Sequence, residues 1–216
     1  MNELIKLVLK ETPDKSVWNQ TTSLQFKSDL VDWCGDRFKD DIALEVGSHV
    51  GHTTRILGLL FKEVYTINLN PPGDSDHSLF EMFKTLEESD YYRLYKSDLR
   101  NTQNHNFENV YYVRQDAYGT KGWCPKIPDV KVCFIDAVHT YDAVSHDIEN
   151  ALLKNTKYFV FDDYGLFPQI KNVVDDYIGY NVLKVEKRIG WDKGIRVVGG
   201  KERTFNDSEG IICSRV

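Results

Sequence analysis

The sequence predicts an α/β fold in which a doubly wound, mostly parallel sheet carries an antiparallel strand at one edge. Short apolar runs of strand length alternate with amphipathic segments of helix length from residue 42 onward. This alternation is typical of a parallel sheet with helices on both faces. The first run, residues 42–46, stops at a glycine turn from which a helix restarts. A ligand crevice is expected at such a turn, because its backbone N–H groups are bare.

The hydrophobic spacing predicts each element in turn. Two helices at 4–9 and 24–33 come first, the second closing near Gly35, and they are expected to pack across the domain or to form part of a lid. Parallel strands are predicted at 42–46, 64–69, 110–113, 130–135 and 158–161, and later strands, expected to be antiparallel, at 182–185, 195–198 and 211–213. The connecting helices are predicted at 53–61, 76–100, 141–153 and 170–178.

Length and composition predict one domain over residues 1–216, with N-terminal helices at 1–40, a core at 41–216 and an insertion at about 71–107. The net charge of −6 argues against nucleic-acid or acidic-membrane partners and favours small molecules, and a homo-oligomer is compatible with the pattern. Four cysteines without a C-x-x-C pair, and no apolar run of about 20 residues, predict a cytoplasmic protein.

The first glycine turn has the sequence G-S-H-V-G over residues 47–51, and Glu45 stands two positions before it. Dinucleotide enzymes use G-x-G-x-x-G, whose second glycine lets the backbone approach a pyrophosphate. His49 occupies that position here, which disfavours a dinucleotide. The strand, turn and preceding acid resemble motif I of class I S-adenosylmethionine-dependent methyltransferases, whose Rossmann-like sheet has seven strands.

The resemblance implies a set of cofactor contacts along the ends of successive strands. Asn68 ends the second strand where the family usually has an acid for the ribose hydroxyls, and an amide can both accept and donate there. Asp116 and Ala117 match the adenine-binding motif, and Asp136 lies beside the methionine moiety. The implied cofactor-binding residues are Glu45, Gly47, Ser48, His49, Gly51, Asn68, Asp116, Ala117 and Asp136.

The second half of the chain carries a narrower resemblance. Residues 134–141, F-I-D-A-V-H-T-Y, and residues 161–165, F-D-D-Y-G, look like the D-G-x-H-x-Y and D-D-Y pair of methyltransferases related to cephalosporin hydroxylases and to macrolide-sugar and rhamnosyl O-methyltransferases. Ala137 departs from the usual glycine. In metal-dependent O-methyltransferases such acids bind a divalent cation, so the resemblance implies Mg²⁺ or Mn²⁺ at Asp136, Asp162 and Asp163. It spans about residues 40–165.

These residues predict an S-adenosylmethionine-dependent O-methyltransferase that acts on a hydroxyl of a small acceptor. The resemblance favours a saccharide, rhamnose-like, in a glycan or a nucleotide-sugar. A hydroxyl is a poor nucleophile at neutral pH, so a cation at the acids would lower its pKa and His139, three residues past Asp136, would act as the base. The predicted catalytic residues are therefore His139 and Asp136.

Alternative interpretations remain open at this stage. Asp162 and Asp163 are also compatible with capping the segment after the strand, and His139 with capping the following helix. Two adjacent acids at an apolar strand end would, however, repel each other without a cation. Glu45 is also compatible with a structural role under the turn. At the level of function, the alternatives are a metal-independent methyltransferase, an NAD(P)-dependent oxidoreductase and a non-catalytic cofactor-binding module.

Overall fold

The computed structural model describes residues 22–48, 51–68, 93–96, 108–115, 117–118, 122–198 and 201–216, together with positions 3 and 6. An eight-stranded sheet runs through this part of the chain in the order β3-β4-β2-β1-β5-β6-β10-β7, and β8 and β9 pair in a separate two-stranded sheet. The strands are β1 Ile42–Val46, β2 Glu63–Asn68, β3 Arg93–Lys96, β4 Val110–Arg114, β5 Val132–Ile135, β6 Tyr158–Phe161, β7 Leu183–Ile189, β8 Gly194–Val198, β9 Lys201–Phe205 and β10 Gly210–Arg215.

Strands β4, β2, β1, β5 and β6 are parallel, and β10 runs antiparallel to both β6 and β7. The helices are α1 Leu24–Cys34, α2 His52–Leu60, α3 Tyr141–Leu153 and α4 Pro168–Gly179. Side chains of β1 alternate between two buried clusters: Leu44 faces the one that contains α3 and α4, and Ala43 the one that contains α1 and α2. The predicted doubly wound α/β sheet is thus confirmed.

The sheet corrects the sequence prediction at both of its ends. Residues 93–96, predicted as helix, form strand β3, which pairs antiparallel with β4 at one edge. The apolar spacing earlier in that segment does not extend this far, and pairing with a neighbouring strand overrides local propensity. The helix predicted at 4–9, apart from the helical position 6, and the rest of the 71–107 segment lie outside the described residues.

The antiparallel strand β10 lies inside the sheet, between β6 and β7, and not at the edge where it was predicted. Its apolar residues are buried on both faces, as an internal strand requires, whereas the edge strand β7 exposes most of its side chains. Strand β9 was not predicted. Strand β8 pairs with β9 in a hairpin and is therefore not part of the main sheet.

All four cysteines are buried free thiols. None of the helices in the described part of the chain combines the length and the hydrophobicity that a membrane-spanning segment needs.

The register of the parallel strands aligns their carboxyl ends in one row. Val46 pairs with Ile67 on one side and with Ile135 on the other, and Ile135 pairs with Phe161. Hydrogen bonds continue one residue further: the N–H of Gly47 donates to Ile67 O at 2.9 Å, and that of Asp136 to Val46 O at 2.9 Å. The glycine turn and the acids after β5 and β6 therefore leave the sheet side by side.

Gly47 is required by its backbone and by its neighbour. Its φ is +91°, and a Cβ built on it would lie 2.0 Å from the carbonyl oxygen of Asp136. No L side chain fits this position, because the chain leaving β1 presses directly on the chain leaving β5.

Gly47→Ala is expected to lower the free energy of unfolding by roughly 2–4 kcal/mol, since it combines a left-handed residue with overpacking against backbone. Gly179→Ala is the matched control, because nothing lies within 4 Å of its added Cβ. Urea unfolding of both variants checks the prediction. Equal stabilities for the two variants would contradict the close approach of β1 and β5.

Candidate active site

The turn after β1 leads directly into helix α2, so the N-terminus of that helix lies close to the carboxyl end of β1. Helix α2 begins after Gly51, which has a φ of +80° and supplies no side-chain cap. The first N–H groups of a helix have no partner within the helix, so this end can bind a polar or anionic ligand group. The buried hydroxyl of Ser48 also has no hydrogen-bond partner among the described residues. His49, predicted to contact the cofactor, lies outside the described residues.

Glu45 supports the turn after β1 through hydrogen bonds with two threonines. Its fully buried carboxylate accepts hydrogen bonds from the hydroxyls of Thr54, at 2.5 Å, and Thr66, at 2.7 Å. These contacts tie β1 to the first turn of α2 and to β2. Burial raises the pKa of Glu45 to about 7, although the two hydroxyls act against this shift. The contacts match the structural role that the sequence left open for Glu45.

The rim after β2 and β4 is fixed by backbone and amide hydrogen bonds. Asn68 ends β2 beside Gly47, and its carbonyl accepts from the N–H of Gln115 at 3.2 Å. The side chain of Gln115 in turn accepts from the N–H of Cys124 at 2.9 Å, and the indole of Trp123 donates to Ala117 O at 3.2 Å. Asn68 and Ala117 therefore stand at the predicted edge, while Asp116 lies outside the described residues.

Asp136, His139 and Asp163 converge next to the glycine turn. Nε2 of His139 lies 3.5 Å from Oδ1 of Asp136 and 3.6 Å from Oδ2 of Asp163, and each of the three side chains is partly exposed. The imidazole packs against Phe167, with ring centroids 4.4 Å apart. Two of the three predicted metal ligands and the predicted base thus form one cluster that solvent can reach.

The backbone conformation of Asp163 places its side chain in the cluster with Asp136 and His139. Asp163 has a φ of +55°, a left-handed conformation that aspartate tolerates better than most residues. Its carbonyl accepts hydrogen bonds from the N–H groups of Leu166 and Phe167, both at 3.0 Å, which closes a tight turn. The Asp162 and Asp163 side chains consequently diverge although they are adjacent in sequence.

The helix-capping interpretation of His139 does not fit the local structure. Thr140, not His139, is the N-cap of α3, and its hydroxyl accepts from the N–H of Ala143 at 3.3 Å. Helix α4 starts after Phe167 without a side-chain cap. Asp163 lies in the tight turn that follows β6, so the turn role that the sequence left open for Asp162 and Asp163 remains compatible with the structure.

The cluster carries more negative charge than its surroundings stabilise. Burial and the charge of Asp136 raise the pKa of Asp163 to about 7. Burial lowers the pKa of His139, but its hydrogen bond to Asp136 and the charge of Asp163 outweigh this and raise it. Neighbouring carboxylates cannot all stay ionised without a proton or a cation between them.

The donor atoms fit a divalent cation. One ligand atom from each of Asp136, His139 and Asp163 lies within 4.8 Å of the others. A small divalent ion holds its ligands about 2.1 Å away, so ligand atoms roughly 3–4 Å apart can share one ion. Carboxylate oxygens suit Mg²⁺ or Mn²⁺, and an imidazole suits transition metals such as Mn²⁺ better than Mg²⁺.

Asp162 is not a member of this cluster, and it belongs to a buried charge group that the sequence did not reveal. Burial, followed by the charges of Asp136 and Asp163, raises its pKa well above the ordinary value. Beneath it lies the buried Lys27, whose ammonium donates to Thr22 O at 2.8 Å. Burial lowers the pKa of Lys27 to about 8, against the charges of Asp162, Glu209 and Asp136.

Lys27 and Glu209 leave different signals in the sequence. Lys27 stands within the buried stripe of α1, with Phe26, Leu30, Val31 and Cys34. A lysine in the apolar face of a helix is the pattern that would have identified it. Glu209 gives no such signal. Its carboxylate accepts from the N–H and the hydroxyl of Ser23 and, at 3.0 Å, from the N–H of Trp191, all far away in sequence.

Comparison with known proteins identifies the fold. No family model and no curated protein sequence matches the chain. Among solved structures, the tRNA (m1A58) methyltransferase TrmI from Aquifex aeolicus aligns with a TM-score of 0.56 and 16% identity, over 98% of this chain and 75% of that one. Precorrin 8w decarboxylase from Methanobacterium thermoautotrophicum aligns with 0.55 and 15%, over 96% and 98%.

A methyltransferase candidate from Streptococcus mutans, solved in complex with SAH, aligns with a TM-score of 0.53 and 11% identity, over 89% of this chain and 99% of that one. These values establish that the chain has the Rossmann-like fold of S-adenosylmethionine-dependent methyltransferases. The narrower resemblance to the cephalosporin hydroxylase-like group stays a prediction.

Glu45→Gln is expected to remove a pH dependence of stability. The folded protein keeps the Glu45 proton up to pH 7, whereas the unfolded chain releases it near 4.5. The contribution of Glu45 is thus fully present below pH 4.5 and declines toward pH 7. Relative to the variant, the wild type should lose about 3 kcal/mol of unfolding free energy across this window.

Urea unfolding at intervals from pH 4.5 to 8 measures this difference. Glu202→Gln, which removes an exposed carboxylate on β9, serves as the control and should track the wild type at every pH. A constant gap between wild type and Glu45→Gln would mean that Glu45 is ionised throughout.

Proposed function

We propose that this protein is an S-adenosylmethionine-dependent O-methyltransferase that acts on a hydroxyl group of a small acceptor. One observation carries the proposal: the donor-rich turn at Gly47 and the Asp136–His139–Asp163 cluster lie side by side at the carboxyl ends of β1, β5 and β6. Ligands of doubly wound sheets bind at this edge. A cofactor on the turn and an acceptor at the cluster would then share one crevice.

The sheet topology supports a methyl donor over a nicotinamide dinucleotide. The dinucleotide fold has a parallel sheet in the order 3-2-1-4-5-6. Here an antiparallel strand, β10, is inserted between β6 and β7. The Streptococcus mutans neighbour was solved with SAH, the product form of the cofactor. In this proposal the cofactor-binding residues are Glu45, Gly47, Ser48, His49, Gly51, Asn68, Asp116, Ala117 and Asp136, with Glu45 acting through the turn that it supports.

Methyl transfer is an in-line displacement that needs orientation and removal of one proton. The acceptor oxygen forms a bond to the methyl carbon, the carbon–sulfur bond breaks, the sulfonium becomes a neutral thioether, and the hydroxyl proton leaves. The turn at Gly47 orients the donor through its amides. His139, positioned by Asp136, Asp163 and Phe167, is the side chain that receives the proton in a metal-free site.

Asp136, His139 and Asp163 would hold a divalent cation, Mg²⁺ or Mn²⁺. Bound there, the cation supplies Lewis acidity that lowers the pKa of an acceptor hydroxyl. Asp162, which the sequence predicts as a third acidic ligand, lies outside this group of three and in the protein interior, where its charge acts on Lys27. Metal-independent transfer with His139 as the base is the second candidate, favoured by the contacts of Nε2 with both carboxylates.

The acceptor that we propose is a saccharide hydroxyl, on the basis of the motif resemblance over residues 134–141 and 161–165. The net charge of −6 is consistent with a small molecule and not with a nucleic acid.

Calorimetric titration of the protein with SAH tests the cofactor, and we expect binding that EDTA does not change. The absence of SAH binding would refute the methyltransferase proposal. NADH fluorescence on mixing would favour an oxidoreductase instead. SAH binding without turnover of any hydroxylated acceptor would favour a non-catalytic module.

The metal site has a separate test in Mn²⁺ binding followed by electron paramagnetic resonance. Asp163→Asn keeps a residue that tolerates a left-handed φ and removes one ligand charge, so Mn²⁺ affinity should fall by more than about tenfold. Asp142→Asn, which removes an exposed acid from the first turn of α3, is the control. SAH affinity should be unchanged in both variants. Equal Mn²⁺ binding by both would select the metal-independent candidate.

A further inference from the structure

The β8–β9 hairpin has two chemically different faces. Arg196 pairs with Arg203, and residue 198 pairs with Lys201, so these basic side chains share one face, because directly paired residues of an antiparallel ladder point to the same side. Ile195 and Val197 lie on the opposite face and are 61% and 65% exposed. The hairpin is thus basic on one side, whereas the other side carries Ile195 and Val197 together with Thr204 and Glu202.

The basic face is packed against the body of the protein only at its base. Phe205 lies on the same side of β9 as Arg203, two residues away, and is buried against Trp191 with ring centroids 5.9 Å apart. Arg196 is half-buried, whereas Lys201 and Arg203 are exposed to solvent. The face that carries the arginines is therefore open to a ligand from solvent.

The base of the hairpin is joined to the loop that carries the acidic cluster. The N–H of Asn206, directly after β9, donates to Gly165 O at 2.7 Å, and Gly165 is two residues past Asp163. A Cβ on Gly165 would lie 2.3 Å from Asp207 O, so the backbone segments around Gly165 and Asp207 are in direct contact. Strand β9, which carries Arg203, therefore ends against the loop that carries Asp163.

The arginines have no carboxylate partner of their own. Within the described residues, neither Arg196 nor Arg203 forms an ion pair, and the Arg196 guanidinium donates to its neighbour's carbonyl, Ile195 O, at 2.9 Å. Like charges directly opposite each other in a ladder are destabilising. The chain has a net charge of −6, yet Arg196 and Arg203 face each other on this hairpin. A bound anion would offset the repulsion between the two guanidinium groups.

We infer that the basic face of the β8–β9 hairpin is an acceptor subsite in which Arg196 and Arg203, with Lys201, bind a phosphate group of the acceptor. This inference rests on the proposed function and narrows its substrate class to phosphorylated small molecules. Arginine pairs match phosphate oxygens through charge-assisted hydrogen bonds. Three positive charges on one short hairpin suit one or two phosphates, whereas nucleic-acid binding typically neutralises about six to ten.

The test measures phosphate binding separately from cofactor binding. Calorimetry in EDTA and low salt titrates inorganic pyrophosphate, as the probe for a diphosphate-linked acceptor, and inorganic phosphate, as the probe for a monoester. Wild type, Arg196→Gln/Arg203→Gln and the control Lys184→Gln are compared. Lys184 is an exposed cation on β7, away from the hairpin, so its replacement removes a similar charge.

We expect at least one probe to bind wild type and the control equally, and the double variant to bind it at least about tenfold more weakly. The tighter probe identifies the kind of phosphate linkage. SAH affinity should be the same in all three proteins. The double variant should melt no lower than wild type, since it removes a like-charge pair, so lost binding cannot be attributed to unfolding.

Other outcomes separate the two proposals. SAH binding with no phosphate binding, or with phosphate binding that the double variant retains, overturns the subsite and leaves the methyltransferase proposal standing. Failure of SAH binding refutes the proposed function itself. Displacement of pyrophosphate by substoichiometric tRNA overturns the small-molecule assignment in favour of a nucleic-acid acceptor.

Discussion

The contact between the chain leaving β1 and the chain leaving β5 is the constraint on which the site depends. Gly47 can approach the Asp136 carbonyl only because it lacks a side chain. That approach keeps Val46 and Ile135 in register, so the turn over α2 and the loop of Asp136 and His139 leave the sheet as neighbours. The cofactor side and the acceptor side of the proposed reaction are therefore set by one backbone contact.

The charged residues near this contact form two groups, one at the surface and one buried. Asp136, His139 and Asp163 form an outer group that solvent reaches, and Asp162 forms an inner group with the buried Lys27. In the proposed function the outer group binds a cation that balances its negative charge, whereas in the inner group the ammonium of Lys27 offsets the charge of Asp162. Asp162 and Asp163 both follow β6 but belong to different groups, because the left-handed conformation of Asp163 separates its side chain from that of Asp162.

The sequence predicted those features that short-range patterns specify. Hydrophobic runs located β1, α3 and β6 at their observed bounds, and the rule that parallel strands align their ends predicted the meeting of Asp136 and Asp163. Features made by pairing between segments were missed, namely β3 beside β4 and β10 inside the sheet. The divergence of Asp162 from Asp163 was also missed, because it depends on a left-handed φ that no hydrophobic spacing specifies. Lys27 carried a signal in its helix stripe, but its acidic neighbour Glu209 comes from 182 positions further along the chain, and no local pattern connects the two.

The hydrogen bonds between Ser23 and Glu209 join two segments that are far apart in the sequence. Ser23 caps α1, and its own N–H and hydroxyl are held by a carboxylate 186 residues later, next to β10. Strand β10 is also the element that joins β7 to β6. Helix α1 therefore gains these contacts at its cap only after the segment that carries Glu209 has folded beside it, and a contact of such large sequence separation forms slowly because a long loop must close first.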